Sequence, residues 1–118
     1  MSATGGWIGV DLDGTLAHYD GWRGPEHIGA PVQAMVDRVK AWLDNGVEVR
    51  IFTARVWNDT NGEATAIIAA WLDANGLPPL AITCTKDYGM VELWDDRAVR
   101  VVANAGVPCC DGHKHASA

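Results

Sequence analysis

Apolar residues along this chain recur with two different periods, and the switching between them predicts the fold. Trp7–Val10 is a short, continuous apolar run that reads as a buried strand ending in two acids, Asp11 and Asp13. After a glycine-rich polar stretch, Val32, Met35, Val36, Val39, Trp42 and Leu43 recur at helical spacing. Asn45-Gly46 ends that helix by supplying a residue tolerant of positive φ. "VEVRIFT" is alternating and β-branched and predicts a second strand ending at Thr53. A second helix runs through Ile67, Ile68, Trp71 and Leu72 and stops at Asn75-Gly76, with Pro78 and Pro79 beyond. "LAITCT" predicts a third strand, "MVELW" a fourth ending at Asp95-Asp96, and "VRVV" a fifth.

Strands alternating with helices predict an α/β fold, a three-layer Rossmann-like sandwich around a mainly parallel sheet. The 118 residues suit one domain. We divide them into a core over 1–108, carrying a short flap at about 17–30, and a tail over 109–118. In open parallel sheets, ligands sit beyond the carboxyl ends of the strands. Asp11, Asp13, Thr53, Lys86, Asp95 and Asp96 all lie at or just past such an end.

That placement turns a fold expectation into a chemical one. If the first and fourth strands are neighbours, four carboxylates crowd one place and repel unless a cation joins them. All-oxygen ligation suits Mg²⁺. Asp11 and Asp95 are the preferred direct ligands, with Asp96 beside them and Asp13 contributing through its backbone carbonyl. Thr53 offers a hydroxyl and Lys86 an ammonium, while Gly14 and Thr15 form a turn whose N–H groups can face an anion. Such a cradle suits a phosphoryl group, whose transfer depends on positioning and charge stabilisation. A carboxylate held in line with that group can attack phosphorus, and Asp13 can move the proton.

Composition narrows the partners. A net charge of -6 and a pI near 4.9 make nucleic acid an unlikely ligand, because a phosphate backbone needs a basic face. No apolar run spans a bilayer, and the N-terminus lacks the layout of a signal peptide. Three cysteines, two of them adjacent, fit a reducing cytoplasm. Exposed aromatics leave a homo-oligomer open.

"DLDGTL", the strand ending in Thr53, Lys86 and "WDD" resemble, in order, the four signature motifs of the haloacid dehalogenase superfamily. The resemblance extends from Trp7 to about Pro108. It implies a phosphomonoester hydrolase with Asp11 as nucleophile, Asp13 as general acid/base, Thr53 and Lys86 holding the phosphate, and Asp95 and Asp96 holding Mg²⁺. Members usually insert a cap domain; here only "HYDGWRGPEHIG" occupies the first insertion site, so the chain resembles a capless member. A capless site is open enough for a phosphorylated polymer or protein, or can be closed by subunit packing around a sugar phosphate or nucleotide; the acidic charge favours the small phosphorylated metabolite. The rival readings are a phosphotransferase or mutase completed by a neighbouring subunit, and a catalytically silent phosphate-binding module. A signalling receiver domain shares the residue types but places its acidic pair early, the reverse of the order here.

Several residues keep two readings. Arg55 and Arg97 either brace the acidic cluster or sit in solvent. Trp22 and Arg23, in the flap, suit substrate recognition, although a loop tryptophan also packs locally. Trp42 and Trp71 lie on apolar helix faces and belong to the core. The tail "CCDGHKH" lacks standard structural-zinc spacing and reads as a poorly ordered end.

Overall fold

The computed structural model describes residues 5–109. Four parallel strands, β1 (Trp7–Asp11), β2 (Glu48–Phe52), β3 (Ala81–Thr83) and β4 (Met90–Trp94), form one sheet in the order β3-β2-β1-β4. Helices α1 (Gln33–Asp44) and α2 (Glu63–Ala74) connect β1 to β2 and β2 to β3. This is a Rossmann-like α/β architecture. Among the described residues, no helix is long and apolar enough to cross a membrane.

The pleat explains which residues form the core. Ile8 pairs in register with Val49 and Val10 with Ile51, so these four share a face. They pack with Met35, Val36 and Val39 of α1 and with Ile68 and Leu72 of α2 in one buried cluster. Both helices therefore cover the same side of the sheet. Each fully buried aliphatic side chain contributes about 1.5–3 kcal/mol. Trp42 and Trp71 pack at the margin of this cluster, Trp42 edge-on to Trp94 with ring centroids 5.1 Å apart.

The opposite face carries Trp7, Gly9 and Arg50. Arg50 lies 4.4 Å above the Trp7 ring, and the Trp7 indole N–H donates to Asp87 over 2.9 Å. Gly9 lets this packing close in, because a Cβ there would come within 2.8 Å of the Met90 methyl group and 3.2 Å of the Trp7 ring, and those side chains would have to shift. The segment 84–89 runs from β3 at one edge to β4 at the other. It is anchored by Asp87 and by the 2.7 Å bond from the Trp7 amide to the Gly89 carbonyl. The third strand is shorter than its sequence suggests, because Cys84 already belongs to this crossover.

The fifth strand is a correction. Val99–Val102 does not join the sheet; Val101 instead bridges Pro108, and Val102 donates to the Val107 carbonyl around a local turn with Asn104 at φ 63°. A four-residue alternating run cannot tell sheet pairing from a local ribbon, and here the chain folds back on itself.

Helix α2 is capped from a distance. Its N-cap, Gly62, has no side chain, and Asp59 takes the role by accepting from the amides of Ala64 and Thr65 at 3.0 and 2.9 Å. The Thr65 hydroxyl adds a 2.7 Å bond. These donors, led by that hydroxyl, hold the Asp59 carboxyl below its ordinary range.

Candidate functional site

Parallel pairing of β4 with β1 brings the end of one beside the end of the other. One carboxylate oxygen from each of Asp11, Asp95 and Asp96 lies within 4.8 Å of the others. Burial pushes Asp11 up to about 7; its hydrogen bond with Asp96 and the charges of Asp95, Asp96 and Asp13 add to the shift. A proton held between Asp11 and Asp96 relieves the repulsion. A cation would relieve it in another way. An octahedral Mg²⁺ at 2.0–2.1 Å places its ligand oxygens about 2.9–4.1 Å apart. The all-oxygen triad fits such an ion with a small inward closing of the three carboxylates.

The turn after β1 shapes this cluster. Leu12 is fully buried and fixes the turn to the core. Gly14 has φ +95°, and a Cβ on it would lie 2.5–2.8 Å from the Asp96 carboxylate. Glycine is needed there for both reasons. Thr15 spans the gap: its hydroxyl lies 3.4 Å from Asp11 and 3.3 Å from Asp96 and accepts from the Asp96 amide at 3.1 Å. Asp95 accepts from the Arg97 amide at 2.8 Å. The expected role of the Gly14 and Thr15 amides as anion donors is corrected, since they donate to the carbonyls of Ala17 and Leu12 within the turn. The contribution of these residues is to hold Asp96 close.

Asp13 turns away from the triad. Arg55 grips it with two parallel bonds, Nε to Oδ2 at 2.7 Å and Nη2 to Oδ1 at 2.9 Å. The same guanidinium donates to the carbonyls of Pro25 and His27 in the flap and sits 4.9 Å from the centre of the Trp22 ring. Of the two readings of Arg55, bracing is the one in the structure. The base of the flap is closed by the Ala17–Pro31 bridge, by His18 donating to Ala30, and by the Trp71 indole donating to Gly29.

Thr53 is 3% exposed and caps the short 3-10 turn Ala54–Val56, its hydroxyl oxygen accepting from the Arg55 amide at 3.1 Å. The hydroxyl hydrogen has no acceptor among the described residues.

A cavity of about 730 Å³ opens above these groups. Asp11, Asp13, Thr53, Asp95 and Asp96 form its polar part. Trp22 and Arg55 reach it; Arg23 does not line it and pairs with Asp20 at 2.8 Å in solvent. Lys86 does not line it either. It is exposed on the crossover, and its neighbour Asp87 is held at the start of β1, away from Asp11. Arg97 lines the cavity instead and has no ion-pair partner among the described residues.

Sequence reasoning missed three rings in the cavity wall: Tyr19, Phe52 and Trp57. Tyr19 shares the flap with Trp22, and Phe52 and Trp57 flank Thr53, so their proximity to motif residues was the available signal. The zinc reading of the tail rests largely on residues 110–118, which lie outside the described residues.

No protein-family profile and no curated protein matches the chain. A solved structure, described as that of a conserved protein coded by locus from Bacteroides thetaiotaomicron, is similar to it with a TM-score of 0.59 and 24% identity. The similarity covers 81% of this chain and 79% of that one. At this identity the likeness shows the α/β fold alone.

Proposed function

We propose that the protein is a capless phosphomonoester hydrolase of the haloacid dehalogenase type, dependent on Mg²⁺, acting on a small phosphorylated metabolite in the cytoplasm. The observation that carries this reading is the meeting of Asp11, Asp95 and Asp96 beneath a cavity that also receives the Thr53 hydroxyl. Asp11, Asp95 and Asp96 would hold Mg²⁺, which supplies charge neutralisation for the phosphoryl oxygens.

A carboxylate oxygen of Asp11 attacks phosphorus and the ester P–O bond breaks, leaving an aspartyl phosphate. The departing oxygen takes a proton from Asp13. Asp13 then removes a proton from the water that attacks the same phosphorus, releasing phosphate and restoring both side chains. Thr53 donates to a phosphoryl oxygen. Arg97 takes the cationic place that the family resemblance assigns to Lys86. Asp13 has both oxygens on Arg55, so the proton steps require that pair to open.

The same pair favours a second reading, a phosphate-binding module without turnover, in which Asp13 is a strut. Release of phosphate from a small aryl phosphate, with and without Mg²⁺, separates the two. Metal-dependent turnover that disappears in Asp11→Asn is the expected result. Absence of turnover in the folded natural chain would remove the hydrolase reading.

A further inference from the structure

The cavity has two chemically distinct parts. Its floor is acidic, as described above, and its walls carry four aromatic rings from three separate segments: Tyr19 and Trp22 from the flap, Phe52 from the end of β2, and Trp57 from just past the 3-10 turn. Three of these rings are largely in water, Tyr19 at 49%, Trp22 at 58% and Trp57 at 76% exposure. Leaving three large rings exposed around one concavity forgoes burial that each would gain in the core. Trp22 is held in place by the Arg55 guanidinium. The Trp57 indole N–H has no partner among the described residues, so its position is not fixed by a hydrogen bond.

We propose that these rings take a flat aromatic body, and that the substrate is a nucleoside monophosphate rather than a sugar phosphate. This rests on the phosphohydrolase reading above and narrows its substrate class. A sugar needs fixed hydrogen-bond partners for several hydroxyls, whereas specificity for a planar body comes from ring faces. Outside the acidic floor and the two arginines, Arg55 engaged by Asp13 and Arg97 assigned above to the phosphate, the polar side chains of the cavity are Thr53 and Tyr19 and the indoles of Trp22 and Trp57. That set is too small for a polyhydroxylated ligand and suits a stacked base. The cavity volume of about 730 Å³ lies within the ordinary range for a small-molecule site. The net charge of -6 opposes a longer polyanion, so the nucleotide is a single unit.

The test compares adenosine 5′-monophosphate with glycerol 2-phosphate on the natural chain, Trp57→Ala and Trp57→Phe, in the presence of Mg²⁺. A base stacked on one ring predicts that Trp57→Ala lowers kcat/KM for the nucleotide about 10-fold through KM. Glycerol 2-phosphate, which has no ring to stack, loses far less than the nucleotide, and Trp57→Phe restores most of the nucleotide's loss. Equal effects on both esters, or no preference between them in the natural chain, would overturn the proposal. A binding arm keeps this apart from the reaction itself. In Asp11→Asn, which cannot form the aspartyl phosphate, adenosine 5′-monophosphate quenches tryptophan fluorescence saturably and glycerol 2-phosphate does not. Quenching without turnover in the natural chain sinks the hydrolase and keeps the aromatic site; turnover of both esters without selective quenching does the reverse.

Discussion

Arg55 and Asp13, 42 residues apart in the chain, meet through two parallel hydrogen bonds of 2.7 and 2.9 Å. Two of the three remaining N–H donors of the guanidinium go to the carbonyls of Pro25 and His27. One side chain thus fastens the flap to the loop after β2 and to the second acid of "DLDGT". The planar fork of arginine permits this; a lysine ammonium has no matching geometry.

Arg55→Lys and Arg55→Ala should therefore loosen the flap while leaving the sheet intact. Both ends of the pair are partly shielded, with side chains 8% and 20% exposed, so Arg55→Ala should cost about 2 kcal/mol of stability. Hydrogen exchange is the measurement. Amides 18–30 should exchange faster in both variants, with those of β1 and β2 unchanged; uniform acceleration would make Arg55 a general stabiliser.

The burial of Asp11, with the acids crowded round it, gives a pH dependence with a definite sign. The folded chain holds the Asp11 proton up to about 7, whereas the unfolded chain releases it near 3.8. Between those values the folded state binds more protons, so in the metal-free protein this group's stabilising contribution is full below about 4. It is lost as pH rises towards 7. Urea denaturation in a chelator, from pH 4 to 7.5, should show the decline, and Asp11→Asn should flatten it. A natural-chain profile that rises over this interval and is unchanged by the substitution would contradict a buried, crowded Asp11.

Gly14→Ala combines a left-handed backbone with a collision against Asp96. A loss of about 1–2 kcal/mol follows from the conformation alone. The substitution should also push Asp96 out of the triad. Thermal unfolding with and without Mg²⁺ checks both, the expected outcome being a lower Tm and a smaller metal-induced rise. An unaltered response to Mg²⁺ would separate Asp96 from the ion.

Asp59→Ala should lower the Tm at neutral pH by uncapping α2. The Asp59 carboxyl titrates below its unfolded value of 3.8, so its contribution is present above that pH and fades as pH falls through the folded value. The Tm difference between the two proteins should be clear at pH 7 and shrink towards pH 2. A difference independent of pH would point to a packing loss at that position.

The elements were legible because they rest on local periodicity. α1 and α2 follow the recurrence of Val36, Val39, Ile68 and Leu72, and β4 coincides with "MVELW". The placement of Asp11, Thr53 and Asp95 at strand ends follows from the same pattern. "VRVV" misled because four residues carry too little period to specify a partner.

The sequence by itself determined an alternating α/β order with acids at the carboxyl ends of its strands, because both hydrophobic period and motif spacing are properties of neighbouring residues. Only the tertiary structure decided that β4 lies against β1, which brings Asp95 and Asp96 to Asp11. It also decided that Lys86 leaves with the crossover while Arg97 faces the cavity, that Arg55 takes both oxygens of Asp13, and that four rings share one wall. The reason is physical. Which strand edges pair, and which side of the sheet a connection crosses, are settled by burial and hydrogen bonding between residues far apart in the chain, and no local pattern encodes them.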